Sequence, residues 1–206
     1  MSMSNNAVPT KGNLMAAKNT LKLSVQGYEL LDKKRNILVR EMMSLIDKAQ
    51  EVQSHIDGTF SEAYEALQMA NINLGIHNIE KTVYAIDEEK GIAINTRSIM
   101  GVEIPMAAID EGDSRPQYGL KGTSVALDVA REKFIAVKKL TVQLAEIENA
   151  IYRLAVNIKK TQKRANALKN IMIPRYEELV KFITESLEEK EREEFTRLKM
   201  IKKIKA

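Results

Sequence analysis

The sequence contains no cysteine and no tryptophan, and it has only four prolines and four phenylalanines among 206 residues. The lack of cysteine excludes disulfide bonds, thiolate metal ligands and a cysteine nucleophile, and it fits a reducing compartment. Because so few aromatic side chains are available to fill a wide core, the composition favours an elongated, helical architecture. The formal net charge is only +4, so the distribution of charge along the chain is more informative than its sum.

Motifs for catalysis and for ligand binding are also missing. The segment GLKGTS, residues 119–124, lacks the spacing of a phosphate-binding GxxxxGK[ST] loop, and the two histidines, His55 and His77, belong to no HExxH motif. No window approaches the roughly 20 apolar residues that cross a bilayer, and no signal peptide is evident. We therefore expect a soluble, cytoplasmic, non-catalytic protein with no cofactor and no metal site.

The N-terminal part of the chain carries a seven-residue apolar repeat. Two series of mostly apolar residues lie three positions apart, as do the a and d positions of a coiled coil. The first series is Leu14, Leu21, Tyr28, Arg35, Met42 and Ala49, and the second is Ala17, Ser24, Leu31, Leu38, Leu45 and Val52. Thr10 is a suitable N-cap, so one long helix is predicted from about residue 10 to residue 70.

The C-terminal part repeats this pattern over about six heptads. Its series is Leu140, Leu144, Ile147, Ile151, Leu154, Ile158, Thr161, Ala165, Leu168, Met172, Arg175, Leu179 and Phe182. With Ser124 as N-cap, a helix is predicted from about residue 124 to beyond residue 195. Pro174 interrupts the stripe, although a proline inside a helix removes a hydrogen bond and costs roughly 3 kcal/mol.

The middle of the chain has a different character. The spacing of Ile72, Ile76, Ile79, Val83 and Ile86 predicts a short helix. Alternating apolar residues then predict a β-hairpin of roughly 92–97 and 102–107, followed by a mobile loop over 110–122.

These elements predict a fold dominated by α-helix. The two long helices should pair as an antiparallel coiled coil, on the order of 60 Å long, because neither apolar stripe can remain in water. We expect an N-terminal coiled-coil helix at 1–70, an inserted middle module at 71–123 and a C-terminal coiled-coil helix at 124–206.

Three segments of the sequence are similar to one known family. Residues 8–42, VPTKGNLMAAKNTLKLSVQGYELLDKKRNILVREM, resemble the N-terminal signature of the D-subunit family of V-type (V/A-type) ATPases. Residues 164–202, RANALKNIMIPRYEELVKFITESLEEKEREEFTRLKMIK, resemble the C-terminal signature of that family. Residues 91–105, GIAINTRSIMGVEIP, are similar to its middle hairpin. The chain length suggests a prokaryotic member.

The resemblance implies a non-catalytic role as the central rotor shaft of a rotary ATPase. The implied partners are the hexamer of catalytic A and B subunits, the central-stalk F subunit and a funnel-shaped subunit on the membrane rotor ring. The complex would place the chain in the cytoplasm, peripheral to the membrane, with no membrane insertion and no nucleic acid bound. The candidate residues for contact with the hexamer are Lys11, Lys160, Lys163, Arg164, Pro174 and Arg175. The candidates for contact with the F subunit and for regulation are Ile92, Ile94, Val102 and Ile104.

Within this interpretation the position of Pro174 has two explanations. By freeing the carbonyl of Asn170 and pushing Ile173 out of helical geometry, the proline can bend the shaft and make it eccentric. The alternative is a tolerated kink that fits the partner helix.

Two other functions remain open from the sequence. A static coiled-coil scaffold would fail to copurify with ATPase subunits. A nucleic-acid-binding helical hairpin would show binding that falls steeply with salt, although basic and acidic residues are interleaved and no aromatic platform accompanies them.

Overall fold

The computed structural model describes residues 8–86, 91–109, 116–119 and 121–205. The elements are α1 (Lys11–Leu74), α2 (Ile76–Val83), β1 (Ile92–Ile99), β2 (Val102–Ile109), α3 (Val125–Ala167), a π-helical turn (Leu168–Met172) and α4 (Ile173–Lys205). Long helices at both ends and one small antiparallel sheet between them confirm the predicted fold class. The chain divides into two compact units, Met1–Asn36 with Ile158–Ala206 (unit 1) and Ile37–Asn157 (unit 2).

Helix α1 begins where the sequence predicts. The backbone N–H of Asn13 donates to Thr10 Oγ1 at 3.2 Å, which is the bond of an N-cap. Every predicted a and d position from Leu14 to Val52 is buried or half-buried. Ser24 is tolerated among them because its hydroxyl donates to the carbonyl of Thr20 at 2.8 Å within the same helix.

Unit 1 is held by antiparallel pairing of the two chain ends. Lys11 Nζ lies 3.0 Å from Glu191 Oε1, and Lys169 Nζ lies 5.6 Å from the centre of the Tyr28 ring. Further along α1, the guanidinium of Arg35 donates to Gln162 Oε1 at 2.8 Å. Partners therefore come from earlier positions of the C-terminal part as α1 proceeds. The Arg35 contact also explains how a charged residue occupies the apolar seam.

Unit 2 pairs the later part of α1 with α3 in the same antiparallel sense. The Lys133 ammonium donates to the Glu62 carboxylate, and this bond raises the pKa of Lys133. The ring of Tyr64 meets Phe134 edge-on with centroids 5.7 Å apart, an arrangement that favours aromatic pairs. Leu38 and Leu154 are among the large side chains that the unit buries completely.

Unit 2 also contains a small hydrophobic cluster of buried side chains. It contains Ala70, Ile79, Tyr118 and Leu127. Gly75, at φ 78°, separates α1 from α2, so Ile72 belongs to α1 rather than to the short helix. The short helix is confirmed at Ile76–Val83. Of its predicted apolar series only Ile79 is buried, because only this side chain packs into the cluster.

Tyr118 anchors part of the segment predicted as a mobile loop. Residues 110–115 and 120 of that loop lie outside the described residues, while residues 116–119 and 121–122 form no regular helix or strand. The Tyr118 ring is buried in the cluster, and its hydroxyl donates to Asp128 Oδ1 at 2.6 Å. Ser124 precedes α3 as predicted, but its hydroxyl has no hydrogen-bond partner among the described atoms and therefore makes no side-chain cap.

We expect Tyr118→Phe to lower the free energy of unfolding by about 1–2 kcal/mol at neutral pH, because the Asp128 carboxylate loses a donor. Burial, followed by the hydrogen bond to Asp128, raises the pKa of Tyr118 to about 12. The folded-state pKa lies above the unfolded value of about 10. The protonated phenol therefore stabilises the fold fully below about pH 10, and this contribution is lost as the pH rises toward 12.

Chemical denaturation of the wild type and the variant at pH 7 and pH 11 measures this effect. Tyr84→Phe is the control, since that side chain is exposed. An alkaline loss of stability that is equal in the wild type and in Tyr118→Phe would contradict the prediction.

The π-helical turn accounts for Pro174. The backbone N–H of Ile173 bonds to the carbonyl of Leu168, five residues earlier, as in a π-helix. Pro174 is therefore the second residue of the next α-helical segment, where a missing N–H is tolerated. Ile173 keeps helical angles of φ −60° and ψ −54°, so its predicted departure from helical geometry is wrong.

The same turn shifts the apolar seam by one residue. One extra residue rotates all later side chains by about 100° around the helix axis. Ile183 is 0% exposed, whereas its predicted neighbour in the seam, Phe182, is 46% exposed. Arg175 is exposed too, and the adjacent Tyr176 is half-buried. The predicted seam positions Arg175 and Phe182 are therefore wrong, because the prediction assumed a constant α-helical period and did not include the extra residue of the π-turn.

Candidate functional site

The basic candidates form an exposed surface on unit 1, here called the basic face. Lys160, Lys163 and Arg164 lie in the last eight residues of α3, and Arg175 lies in the first turn of α4. All four side chains are exposed. Lys160 and Arg164 are four residues apart, which places them on one side of the helix. The face can attract carboxylates or other anions, and it carries no arrangement for bond-making chemistry.

The other two candidates differ from this group. Lys11 is exposed at the start of α1, and its ion pair with Glu191 joins two exposed side chains, so the pair contributes little to stability. Pro174 is half-buried in the helix surface. Lys11 is thus accessible to a partner, whereas the main structural role of Pro174 is at the start of the helical segment that follows the π-turn.

Exposed apolar side chains on unit 1 escaped the sequence analysis. Leu23 and Leu30 in α1 and Ile171 in the π-turn are all more exposed than buried. Leu23 and Leu30 lie two positions after the seam residues Leu21 and Tyr28, so they form a second series with seven-residue spacing. That spacing was the available signal. These residues add apolar contact area to the surface of unit 1, where other large apolar side chains, such as Met15 and Phe195, are exposed as well.

The hairpin is the second candidate surface, and the structure confirms it with longer strands than predicted. Strands β1 and β2 pair antiparallel from Ile92↔Ile109 to Ile99↔Val102. They are joined at Met100 and Gly101, which have φ values of 50° and 75°. Positive φ at both positions is characteristic of a two-residue type I′ hairpin turn.

The four apolar hairpin candidates lie on opposite faces. Val102 and Ile104 are buried, whereas Ile92 and Ile94 are exposed to 53% and 70%. The register places Arg97 opposite Ile104, and Ile94 opposite Ala107. Because side chains alternate between faces, Ile92 and Ile94 share the face away from Val102 and Ile104.

Two polar side chains of α3 hold the hairpin in unit 2. The backbone N–H of Ala107 donates to Glu146 Oε2 at 2.9 Å. The guanidinium of Arg153 donates to the carbonyl of Glu103 at 3.3 Å. Sequence analysis missed both residues, because a charged side chain that binds a distant backbone leaves no local pattern.

Within the described ranges, no three or more His, Asp or Glu side chains are grouped so that they could hold a metal ion. None of the helices in those ranges combines the length and the apolar character needed to cross a membrane.

Comparisons with known proteins agree on one family. The model of the family of ATP synthase D subunits matches residues 13–203. The D subunit of the V-type ATP synthase of Thermotoga neapolitana is 45% identical over 194 residues, covering 94% of this chain and 96% of that protein. The D subunit of the A-type ATP synthase of Pyrococcus furiosus is 37% identical over 199 residues, covering 95% and 93%. The corresponding A-type protein of Methanobrevibacter smithii is 38% identical over 202 residues, covering 94% and 85%.

Proposed function

The chain belongs to the ATP synthase D-subunit family, and we propose that it is the central rotor component of a V/A-type ATPase. In this role it transmits torque between ATP hydrolysis or synthesis in the A–B hexamer and ion translocation by the membrane ring. The observation that carries the proposal is the match over residues 13–203, which includes both long helices and the hairpin.

The helix pairing supports this role physically. A shaft that carries torque must resist unwinding, and paired helices with a buried seam resist twist better than a single helix. Leu38, Leu154 and Ile183 are completely buried, while the exposed surface carries some apolar residues such as Leu23 and many long charged side chains such as Lys160 and Arg164. Such side chains can exchange partners as the rotor turns, whereas tight apolar contacts all around would trap it at one angle.

Each segment of the chain has a proposed role. The helices of 1–70 and 124–206 form the proposed coiled-coil shaft, and residues 71–123 form the inserted middle module near which the F subunit binds. The chain binds no nucleotide or metal and catalyses no reaction, and the A and B subunits hydrolyse ATP. It contacts the F subunit and the funnel-shaped ring subunit, and it stays on the cytoplasmic side, peripheral to the membrane.

The basic face is the proposed contact with the hexamer. Lys160, Lys163, Arg164 and Arg175 are all exposed on unit 1, with Lys11 on the pairing helix. In open solution such charges are screened over about 8 Å at physiological salt. Inside a narrow protein channel they are screened less, so carboxylates on the surrounding subunits would attract them more strongly. Pro174 then serves by setting the helix geometry between Arg164 and Arg175.

We expect the double change Lys163→Ala with Arg164→Ala to weaken binding to the nucleotide-loaded A–B hexamer by about 1–3 kcal/mol, in the range of desolvated charge pairs. The stability of the isolated chain should not change, since both side chains are exposed. Affinity at two salt concentrations measures the effect.

The matched control removes two exposed charges of the opposite sign from the same part of unit 1, by Glu177→Ala with Glu178→Ala. This control should not weaken binding. Wild-type affinity that is indifferent to salt, together with equal affinity of the basic double variant, would make the basic face an ordinary solvated surface. Failure of the wild-type chain to enter the hexamer at all would overturn the rotor role itself.

A further inference from the structure

We propose that the free edge of β1 receives a third strand from a partner polypeptide, so that the hairpin is recognised through its backbone. The added segment is extended, with apolar side chains on the face of Ile92 and Ile94 and a carboxylate on the opposite face, near Arg97. The proposal rests on the proposed function only in assigning this segment to the central-stalk partner, the F subunit.

The outer edge of β2 is already occupied. The N–H of Ala107 and the carbonyl of Glu103 bond to Glu146 and Arg153 of α3. In an antiparallel strand, the N–H and the carbonyl of one residue point to the same side, and neighbouring residues alternate. Glu103, Pro105 and Ala107 therefore direct their backbone groups away from β1. Pro105 fits this position because its missing N–H removes no bond from the ladder.

The register then identifies the backbone groups on the opposite edge. Val102, Ile104, Met106 and Ala108 face β1, and their partners are Ile99, Arg97, Asn95 and Ala93. The alternate residues of β1 must point outward. Within the part of the chain that the structure describes, no strand pairs with this edge. The open edge is thus formed by the N–H and carbonyl groups of Ile92, Ile94, Thr96 and Ser98, and all four residues are exposed.

This edge lacks the usual protection against strand pairing. Natural proteins protect edge strands with lysine, proline, bulges or short length. Strand β1 is eight residues long, contains no lysine and no proline, and pairs residue by residue without a bulge. A regular, exposed edge is the template that β-strand addition uses, with affinity from main-chain bonds and specificity from alternate side chains.

The side chains of β1 define the partner segment. Ile92 and Ile94 are exposed on one face and would be covered by apolar cross-strand neighbours. Arg97 is the one charged side chain in the strand and lies on the other face, where it favours an acidic neighbour. A segment with apolar and acidic residues at alternating positions therefore fits both faces.

The test compares two substitutions at one position of the open edge. Thr96→Pro removes an outward N–H and places a ring on the edge, directly opposite Pro105, while the ladder bonds of the hairpin remain. Thr96→Val changes the side chain and keeps the N–H. We expect Thr96→Pro to weaken the binding of the F subunit to the full chain roughly tenfold or more, and Thr96→Val to bind like the wild type.

Amide hydrogen exchange of the full chain gives a second measurement. Adding the F subunit should slow exchange at Ile92, Ile94, Thr96 and Ser98. The ladder amides of Ala93, Asn95 and Arg97 should be protected before and after, in the wild type and in Thr96→Pro, which shows that the hairpin is intact.

The outcomes separate the inference from the function on which it rests. Binding of the F subunit without protection of the four outward amides, or with full affinity in Thr96→Pro, overturns strand addition and leaves the partner assignment standing. Failure of the F subunit to bind the wild-type chain overturns the partner assignment and the inference with it. Self-association of the isolated chain with protection of the same amides would show that a second copy is the occupant, contrary to the proposal.

Discussion

Replacing Leu154 by aspartate is expected to lower the free energy of unfolding by about 4 kcal/mol or more, a large share of the roughly 5–15 kcal/mol that stabilises a typical domain. Leu154 is completely buried in unit 2. The substitution removes a buried apolar side chain and places an unpaired carboxylate in its position. Chemical denaturation followed by circular dichroism measures the change.

The controls for Leu154 come from the same helix. Tyr152 is 70% exposed, so Tyr152→Asp should change stability by less than about 1 kcal/mol. If Leu154→Asp fails to fold, Leu154→Ala provides a measurable value, expected at about 2–5 kcal/mol. Equal stabilities of Leu154→Ala and the wild type would show that this position does not belong to the core.

The seam around Leu154 was predictable because it depends only on spacing. A seven-residue repeat places side chains on one helix face wherever the helix is regular. Helix α1 is uninterrupted over its predicted range, and α3 is regular up to Ala167, so Ala17, Leu38 and Leu154 are buried as predicted. The caps were less predictable, since Thr10 makes its side-chain bond while Ser124 does not.

The middle module was predictable only in part. Alternation in the sequence was sufficient for the hairpin and for the shared face of Ile92 and Ile94. It could not show which face is covered, because burial of Val102 and Ile104 depends on where the hairpin lies in unit 2. The contacts of Glu146 with Ala107 and of Tyr118 with Asp128 join residues outside any local repeat.

Spacing in the sequence does not show whether the basic face is a contact surface. Exposed lysines and arginines on a helix are common, and their sequence positions do not distinguish a contact surface from a solvated one. Membership of the D-subunit family supplies the reason to expect partners within the ATP synthase complex, and the structure supplies the exposure of Lys160, Lys163, Arg164 and Arg175. The experiment with Lys163→Ala and Arg164→Ala tests whether these exposed side chains contact a partner.

The π-turn explains why the C-terminal seam was misplaced. A helix with 3.6 residues per turn keeps its phase, but a turn closed by a bond to the fifth residue back inserts one residue. Leu168–Met172 forms such a turn, and Pro174 is the second residue after it. No apolar spacing marks the insertion. The proline is the visible signal, because it cannot donate to the preceding turn and is best placed where a new helical segment begins.

Because of the seam shift, we expect Ile183 to contribute more to the free energy of unfolding than its neighbour Phe182. Ile183→Ala is expected to lower the free energy of unfolding by about 2–5 kcal/mol, because Ile183 is completely buried and the change leaves a cavity. Phe182→Ala, although it removes the larger side chain, should lower it by no more than about 1 kcal/mol, since Phe182 is substantially exposed.

Chemical denaturation of the two variants decides between two arrangements of α4. A continuous α-helix through Pro174 would bury Phe182 and expose Ile183, so the order of the two effects would reverse. With the π-turn, Ile183→Ala must lower the free energy of unfolding more than Phe182→Ala, because the extra residue turns Phe182 outward. That rotation also brings Arg175 to the surface. The same one-residue insertion that stabilises the seam through Ile183 therefore makes Arg175 available to the basic face, and a larger effect at Phe182 would remove the support for both.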